Sequence, residues 1–317
     1  MSEPTTTPTV VAVDVGGSAL RLQTYAVGPG PVLSAPGVRV RTGGIDVPAL
    51  VADARSLLAA DESASAARPP EVVVWSMRGL LFLADRAKVL RTVADGLGAG
   101  STVVVSDAVA NLVGATGGLG TGAVVAAGTG AVAFGTDFDR QWRRVDGWGH
   151  VLGDAGSAAV LGMAGLRAAL RAHDGLPGGS ARLLGAATRL LGVPETWPRL
   201  VMTTPDAPER LASVAPLVTA AAADGDPVAS ELCEQAGAAL AESLLRAADG
   251  LDEPTLVATG GLLAAASVTA ALDARLTRAG LRRSPARGGA LDGALLLARH
   301  LLETGRVPEH PAYLVVG

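Results

Sequence analysis

Short apolar runs that stop at glycine recur along the chain and predict strands joined by tight turns. Thr9–Val15 is apolar up to a pair of glycines, and Leu20–Val27 then resumes as an extended segment, a pattern typical of a β-hairpin. Ala123–Ala127, a second glycine turn and Val132–Gly135 repeat this order. The repeat indicates an internal duplication, although two segments this short also match by chance.

Around these hairpins, the spacing of apolar residues predicts several helices and three further strands. Helices are predicted over Pro48–Ala60, Ala84–Leu97, Ala108–Thr116, Ala158–Ala172, Ser180–Leu191, Ala207–Asp224, Pro227–Gly250 and Ala286–Leu302. Strands are predicted over Glu71–Trp75, Thr102–Val105 and Thr255–Ala258. Pro177–Gly179 and Val193–Pro198 are predicted to be loops, and the second half is mainly helical.

Composition narrows the chemistry that this α/β pattern can carry. The length of 317 residues predicts two domains. Lys88 is the single lysine and no glycine loop precedes it, so the lysine-containing phosphate loop and the protein-kinase lysine motif are absent. Cys233 is the single cysteine, which excludes a disulfide or a cysteine-ligated iron–sulfur cluster within one chain.

Charge and hydropathy exclude two classes of partner. The net charge of −4 and the 3% aromatic content argue against a nucleic-acid-binding protein, because such proteins carry basic surface stripes and aromatic side chains that stack on bases. A transmembrane helix needs about 18 uninterrupted apolar residues, and no such run exists. Residues 1–8 lack the basic and apolar regions of a signal peptide. We therefore expect a cytoplasmic protein with neither a nucleic-acid nor a membrane partner.

Two acidic residues stand at the ends of predicted strands in the first half. Asp14 is followed by Gly16, Gly17 and Ser18, where glycines let backbone amides approach a phosphate and the carboxylate can order Mg²⁺ through water. An ordinary hairpin turn explains the same residues without a ligand. Asp107 precedes a helix, so it is either a helix N-cap or a general base in a cleft.

A second glycine turn, Gly128-Thr129-Gly130, repeats the first one without its carboxylate. With Ala133 it also matches the dinucleotide-binding pattern G-x-G-x-x-A, which requires a helix to follow. The residues that follow are β-branched and interrupted by glycine, which favours a strand. Further along, Gly260 and Gly261 come after a predicted strand and open a predicted helix, whose amino terminus can face a nucleotide.

The segment from Asp146 to Ser157 concentrates functional residue types in one loop. It reads Asp-Gly-Trp-Gly-His-Val-Leu-Gly-Asp-Ala-Gly-Ser and includes Gly147, Trp148, His150 and Asp154. His150 and Asp154 have the spacing of metal ligands, but no third ligand is evident. The loop is therefore a candidate binding segment rather than a metal site.

The order of these motifs resembles the sugar-kinase/Hsp70/actin superfamily. Within it, the chain looks like the BadF/BadG-type ATPases and their N-acetylglucosamine kinase branch, most specifically at Gly147–His150 and Gly153–Ser157. The resemblance covers about residues 10–300. It implies an α/β fold of two ribonuclease-H-like lobes, residues 9–117 and 118–317, with a cleft between them. Helices enlarge the second lobe, and the last helix either stays there or returns to the first.

The resemblance also implies roles for the motif residues. ATP would be bound by three segments. The first phosphate loop would be Asp14, Gly16, Gly17 and Ser18, and the second would be Gly128, Thr129 and Gly130. Gly260 and Gly261 would form the segment on the adenosine side. Asp14 would hold Mg²⁺, and Asp107 would be the catalytic base on the sugar hydroxyl. The sugar would contact Gly147, Trp148, His150 and Asp154, together with Asp107. The family habit implies a homodimer.

Four places in the chain depart from the family pattern and bear on the substrate. Ala131 replaces a serine after the second glycine turn, and Ala155 replaces a glutamate in the Gly-Asp-Glu-Gly-Ser segment. The segment Val74–Gly79, which reads Trp-Ser-Met-Arg-Gly over positions 75–79, stands where small glycine-rich residues are expected. Asp46 stands near the place of a sugar-binding asparagine, and a carboxylate near the sugar C2 suits a free ammonium, which favours glucosamine over N-acetylglucosamine.

We therefore expect an ATP-dependent kinase that phosphorylates a hydroxyl, O6, of an amino sugar. A non-catalytic ATP-binding regulator of the same fold is the alternative that Ala131 and Ala155 favour. A dinucleotide enzyme is a third reading, which depends on a helix after Gly130.

Overall fold

A computed structural model describes residues 9–38, 40–41, 44–61, 69–204 and 206–317. The chain divides into two compact units, one formed by residues up to Gly120 together with Ala286–Gly317, the other by Thr121–Pro285. The first boundary lies three residues beyond the expected one. The last helix belongs to the first unit, which is one of the two arrangements that the sequence left open.

The elements follow one another in three stretches of the chain. Up to Gly120 they are β1 Val10–Val15, β2 Ala19–Tyr25, β3 Leu33–Pro36, β4 Val40–Arg41, β5 Gly44–Ile45, α1 Val47–Ala60, β6 Val72–Met77, α2 Arg86–Leu97, β7 Ser101–Ser106 and α3 Asp107–Thr116. From Thr121 they are β8 Gly122–Ala127, β9 Ala131–Thr136, β10 Trp142–Asp146, α4 Ala158–His173, α5 Ala181–Leu191, α6 Trp197–Met202, α7 Ala207–Ala212, α8 Ala215–Ala223, α9 Pro227–Ala248, β11 Thr255–Thr259 and α10 Ala266–Arg278. The chain ends with α11 Ala290–Thr304 and β12 Leu314–Val316.

A six-stranded mixed sheet forms the first unit, in the order β12-β7-β6-β1-β2-β3. β1, β6 and β7 are parallel neighbours, while β2, β3 and β12 are antiparallel to the strands beside them. Every residue of β1 and β6 is buried. Continuous apolar runs of this kind are what central strands covered on both faces require.

Small residues explain why α11 packs in the first unit. A methyl group on Gly114 of α3 would lie 1.9 Å from the carbonyl oxygen of Gly289, and one on Gly293 of α11 would lie 1.8 Å from that of Ala110. The two helices therefore approach so closely that only glycine fits at these positions. This contact joins the end of the chain to a helix that lies far from it in sequence.

The second unit contains a four-stranded sheet in the order β10-β9-β8-β11, covered by helices. β8 and β9 form the predicted antiparallel hairpin, and β11 pairs parallel to β8. α9 packs on this sheet so closely that a methyl group on Gly135 would lie 2.2 Å from the carbonyl oxygen of Ala247. The prediction of a mixed α/β fold with a helix-rich second half is confirmed.

Several sequence expectations were wrong in detail. The segment Ala207–Asp224 forms two helices, α7 and α8, because Pro216 lies in the first turn of α8 and cannot donate a backbone hydrogen bond to a continuous helix. Val193–Pro198 is not a loop: it holds a single 3₁₀ turn and the start of α6, whose Trp197 is 2% exposed. The strands β3, β10 and β12 were not predicted, and α10 begins at Ala266 rather than at the glycine pair where a helix was expected.

The geometry after Gly130 decides the dinucleotide reading. The residues from Ala131 to Thr136 form strand β9, antiparallel to β8, where a dinucleotide fingerprint requires a helix. The interpretation of this turn as a dinucleotide-binding site is therefore wrong.

In the described part of the chain, no helix has both the length and the apolar character that crossing a membrane requires.

Candidate functional site

The candidate residues of the first unit gather where β1, β6 and β7 finish. We call this the C-terminal end of the first sheet. The strands are parallel and in register, with Asp14 opposite Ser76 and Met77 opposite Ser106. Asp107 follows Ser106 directly. The two acidic residues predicted to be functional therefore belong to one end of one sheet, although they are far apart along the chain.

The turn between β1 and β2 is held by three backbone hydrogen bonds. The amide of Gly16 donates to the carbonyl of Ala19 at 2.9 Å, that of Val38 donates to Gly16 at 3.0 Å, and that of Gly37 donates to Ser18 at 3.3 Å. A methyl group on Gly37 would lie within 2.6 Å of three backbone atoms of this turn. Gly37, which the sequence analysis did not select, thus supports the turn from beside it.

Asp14 is a buried carboxylate with two polar neighbours. Its side chain is 8% exposed, and the hydroxyl of Ser76 donates to its Oδ1 at 3.0 Å. Burial raises the pKa of Asp14, while the Ser76 hydrogen bond and the charge of Arg21, its partner in the strand register, act to lower it. An ionised carboxylate in this position is costly by itself and gains from a nearby cation.

The arrangement fits a magnesium ion that is bound through phosphate. Mg²⁺ prefers oxygen ligands and is usually held by one or two carboxylates, waters and substrate phosphates. Asp14 supplies one such carboxylate beside a glycine turn. Among the described residues, no group of three or more histidine, cysteine, aspartate or glutamate side chains could hold a metal by itself.

Asp107 is not the N-cap of the helix that it begins. Ser106 is the cap residue, and its hydroxyl accepts from the amide of Val109 at 3.4 Å. Asp107 lies in the first turn, half-buried, with Oδ1 accepting from the amide of Ala108 at 3.0 Å. The purely structural reading of Asp107 as the cap is therefore wrong, since the neighbouring serine performs that task.

Two candidate segments of the second unit meet where β8 and β11 finish, which we call the C-terminal end of the second sheet. Thr259 at the end of β11 lies opposite Ala126, and Gly260 has φ +107°. A methyl group on Gly260 would lie 2.2 Å from the carbonyl oxygen of Ala127. Gly128 follows Ala127 directly, so the glycine pair and the second glycine turn are neighbours.

The amino terminus of α4 supports the second glycine turn. The amide of Ala158 donates to the carbonyl of Gly128 at 3.0 Å, and that of Ala159 donates to Thr129 at 3.1 Å. Ser157 caps the same helix by accepting from the amide of Val160 at 3.2 Å. The turn Gly128–Gly130 is thereby attached to a helix start, an arrangement with a positive electrostatic potential.

The loop after β10 is organised by Asp146, a residue that the sequence analysis named only as its first position. Oδ1 of Asp146 accepts from the amides of Gly147 at 2.7 Å and Asp154 at 2.8 Å, and Oδ2 accepts from that of Ala155 at 2.7 Å. A methyl group on Gly153 would lie 2.2 Å from Oδ1. Both Asp146 and Asp154 have positive φ, +60° and +55°. One carboxylate therefore folds the two halves of the loop together.

The predicted sugar-binding side chains differ in their surroundings. Asp154 is 5% exposed, and its Oδ1 accepts from the amide of Gly149 at 3.0 Å, so it also stabilises the loop. Trp148 is 58% exposed, with the guanidinium of Arg144 5.0 Å from its ring centre. Arg144 also donates to the carbonyl of Gly147. His150 is half-buried.

Two further predicted positions have different local settings from those expected. Asp46 is the N-cap of α1, and its Oδ1 accepts from the amide of Ala49 at 3.3 Å. Gly261 does not open an α-helix: it starts the 3₁₀ turn Gly261–Ala264, and α10 begins at Ala266.

Comparison with known proteins places this geometry in a family. The model of the BadF/BadG/BcrA/BcrD ATPase family matches residues 75–298, which is more than half of the chain. The chain belongs to this family. The resemblance that was stated from the motifs is thereby confirmed.

Several proteins that are similar to this chain carry sugar-kinase names. An N-acetylmuramic acid/N-acetylglucosamine kinase of Clostridium acetobutylicum is 36% identical over 77 residues, a stretch that covers 24% of each chain. A protein of Chromobacterium violaceum, named as an N-acetylglucosamine kinase, superposes with a TM-score of 0.70 at 24% identity over 92% of this chain and 98% of its own. One from Porphyromonas gingivalis, named likewise, reaches 0.72 at 17% identity over 94% and 100%. The chain has the fold of these proteins, the actin-like ATPase fold.

Proposed function

We propose that this ATPase-family protein is an ATP-dependent kinase that phosphorylates a hydroxyl of an amino sugar, at O6. The observation that carries the proposal is the C-terminal end of the first sheet. There, buried Asp14 lies beside a glycine turn, and Asp107 begins a helix that Ser106 already caps. A half-buried carboxylate that the helix does not need as a cap is suited to accept a proton.

Asp107 is proposed to act as the general base. Its carboxylate accepts the proton of the sugar hydroxyl as the hydroxyl oxygen bonds to the terminal phosphorus of ATP and the bond from that phosphorus to the bridging oxygen breaks, releasing ADP. The step needs alignment and charge neutralisation more than covalent chemistry. Asp14 is proposed to hold Mg²⁺ with the phosphates, and the ion supplies positive charge next to the transferred group.

The glycine turns are proposed to bind the phosphates through backbone amides other than those of Gly16 and Gly128, which donate to the carbonyls of Ala19 and Gly130 within the turns. Gly16, Gly17 and Ser18 form one turn, and Gly128–Gly130 form the other at the start of α4. The pair Gly260 and Gly261 is proposed to lie on the adenosine side. Amides at turns and helix starts bind anions without any lysine, which fits a chain whose single lysine lies on α2.

The loop that Asp146 holds is proposed to bind the sugar. Trp148 offers an exposed ring, and His150 and Asp154 lie in the same loop. The family similarity and the sugar-kinase names of its relatives support an amino sugar such as N-acetylglucosamine or glucosamine. Asp46, which directly follows β5, is proposed to lie near C2 of the sugar, where its carboxylate favours a free ammonium and hence glucosamine. The proposal includes a cytoplasmic homodimer.

A coupled ADP-release assay tests this function directly. Purified protein with MgATP is offered glucosamine, N-acetylglucosamine, N-acetylmannosamine and glucose. The proposal expects turnover with an amino sugar and none with its 6-deoxy analogue, because the analogue lacks the accepting hydroxyl. Turnover with the 6-deoxy analogue would refute O6 as the acceptor, and no turnover with any of the four sugars would refute the kinase.

A non-catalytic ATP-binding regulator is the second candidate, favoured by Ala131 and Ala155. The loop does not depend on a glutamate side chain at position 155 for its shape, because the backbone amide of Ala155 donates to Oδ2 of Asp146 at 2.7 Å. Calorimetric titration separates the two candidates. Binding of a non-hydrolysable ATP analogue without binding of any of the four sugars supports the regulator.

A further inference from the structure

Arg78 lies over the first glycine turn, although it is 61 positions further along the chain than Gly17. Its backbone amide donates to the carbonyl of Val15 at 3.0 Å, directly after β6 ends. A methyl group on Gly17 would lie 2.7 Å from Nη1 of Arg78. The guanidinium therefore occupies the space that a side chain at the turn would otherwise fill.

The guanidinium of Arg78 is available to a ligand. Its side chain is exposed, and no carboxylate within the described ranges forms an ion pair with it. Arg21, another arginine near the turn, is opposite Asp14 in the β1–β2 register. A planar guanidinium beside a turn rich in backbone amides, with no carboxylate partner among the residues that the structure describes, offers the kind of donors that bind a phosphate.

The strand order places Arg78 between the two proposed reactive groups. β6 lies between β1 and β7 in the sheet, so the residue after β6 lies between the end that carries Asp14 and the end that carries Asp107. In the proposed function, the phosphoryl group in transfer is between the carboxylate that holds Mg²⁺ and the base. The phosphate nearest to Arg78 is therefore the terminal one.

We propose that Arg78 binds the terminal phosphate of ATP and stabilises its charge during transfer. This inference rests on the proposed kinase function and adds a catalytic residue to it. A donor aimed at charge that develops in the transition state contributes roughly 10²–10³-fold to kcat. It also distinguishes ATP from ADP, because ADP has no terminal phosphate to contact.

Equilibrium titrations of wild type and variants test the inference. The ligands are AMPPNP and ADP, each with Mg²⁺, and the variants are Arg78→Gln, Arg78→Lys and the control Arg91→Gln on the exposed face of α2. For Arg78→Gln we expect Kd for AMPPNP to rise roughly tenfold or more, with Kd for ADP within about twofold. Arg78→Lys keeps the charge without the fork and is expected to be intermediate, and Arg91→Gln to match wild type.

The outcomes separate this inference from the function on which it rests. If wild type phosphorylates a sugar, and Arg78→Gln either binds AMPPNP as wild type does or loses AMPPNP and ADP equally, Arg78 does not contact the terminal phosphate. If wild type binds neither nucleotide, the proposed function fails and the inference fails with it. The melting temperature of each variant shows that binding is compared between folded proteins, and Arg78→Lys gives the same comparison with the smaller change.

Discussion

Replacing Asp146 by asparagine tests whether one carboxylate shapes the proposed sugar-binding loop. Asp146→Asn turns one acceptor oxygen into an NH₂ group, while three backbone amides point at the carboxylate. Whichever way the new amide group is oriented, at least one N–H faces another N–H. The backbone conformation is not a confounding factor, because asparagine adopts the positive φ of this position, +60°, at least as readily as aspartate.

The size of the effect follows from the hydrogen bonds. A hydrogen bond to a charged acceptor contributes about 1.5–3 kcal/mol, and a half-buried group belongs at the lower end of that range. We expect a loss of about 1.5–2 kcal/mol, which in a domain of this size lowers Tm by about 3–8 °C. The loss is local to the loop, so amide hydrogen exchange accelerates at Gly147, Asp154 and Ala155.

The assay compares Asp146→Asn with Asp137→Ala as a matched control. Asp137 lies in the turn at the other end of β10, where its Oδ1 accepts from the amides of Asp139, Arg140 and Gln141. Both variants lose stability, but only Asp146→Asn is expected to raise KM for the sugar, by roughly tenfold, since only it disturbs the binding loop. Unchanged exchange at the three loop amides, or an equal rise of KM in Asp137→Ala, would refute the reasoning.

Three further predictions concern the two sheet ends. Asp107→Asn is expected to lower kcat roughly 10²–10⁴-fold in the coupled assay, with unchanged Kd for AMPPNP. Ser106→Ala removes the side chain that caps α3 and should instead lower the free energy of unfolding by about 1 kcal/mol, as measured by denaturant titration. Asp14→Asn is expected to abolish turnover yet raise Tm at pH 7. Burial raises the pKa of Asp14 in the folded protein, so the folded protein binds the carboxyl proton more tightly than the unfolded chain does. The ionised aspartate therefore lowers the stability of the fold once the pH rises above the usual pKa of an aspartate. The gain in Tm should therefore be larger at pH 7 than at pH 3, and an equal gain at both would contradict the assigned cause. Gly260→Ala is expected to lower Tm, because Gly260 has φ +107° and the new methyl group would lie 2.2 Å from the carbonyl oxygen of Ala127 in β8. Gly261→Ala should melt as wild type does, because the space beside its Cα is open.

Much of the local structure could be predicted from the sequence. The hairpins at both glycine turns and the strands β6, β7 and β11 lie where apolar runs and turn residues place them. Most helix boundaries agree within a few residues. These features depend on neighbours along the chain: glycine permits a tight turn, and an apolar run of strand length asks for burial.

Other elements could not be found because their local signal is weak. β10 is a strand of half-buried residues with two arginines, and its pairing with β9 decides its conformation. α6 follows a proline-containing stretch that reads as a loop, but Trp197 is buried in the core and its ring N–H donates to the carbonyl of Gly192 at 2.9 Å. Tertiary packing overrides propensity in both cases.

The candidate site shows the same division. From the sequence alone, Asp14, Asp107 and the glycine turns could be selected, because a functional residue type at a strand end is visible in one dimension. Only the tertiary structure shows that Ser76 donates to Asp14 and that Arg78 lies over Gly17. These pairings cross a parallel sheet, and the register between strands is set by the burial of whole faces rather than by any local motif.

What the sequence by itself determined is therefore the inventory: an α/β chain with two glycine-turn hairpins, almost no lysine and a loop dense in functional side chains. What only the tertiary structure decided is the role of each member. Ser106 rather than its neighbour Asp107 caps α3, and Asp146 joins the two halves of the loop while Asp154 accepts one further hydrogen bond within it. The physical reason is that turns depend on local backbone freedom, whereas the partner of a carboxylate depends on which distant amide or hydroxyl the packed core brings within hydrogen-bond distance.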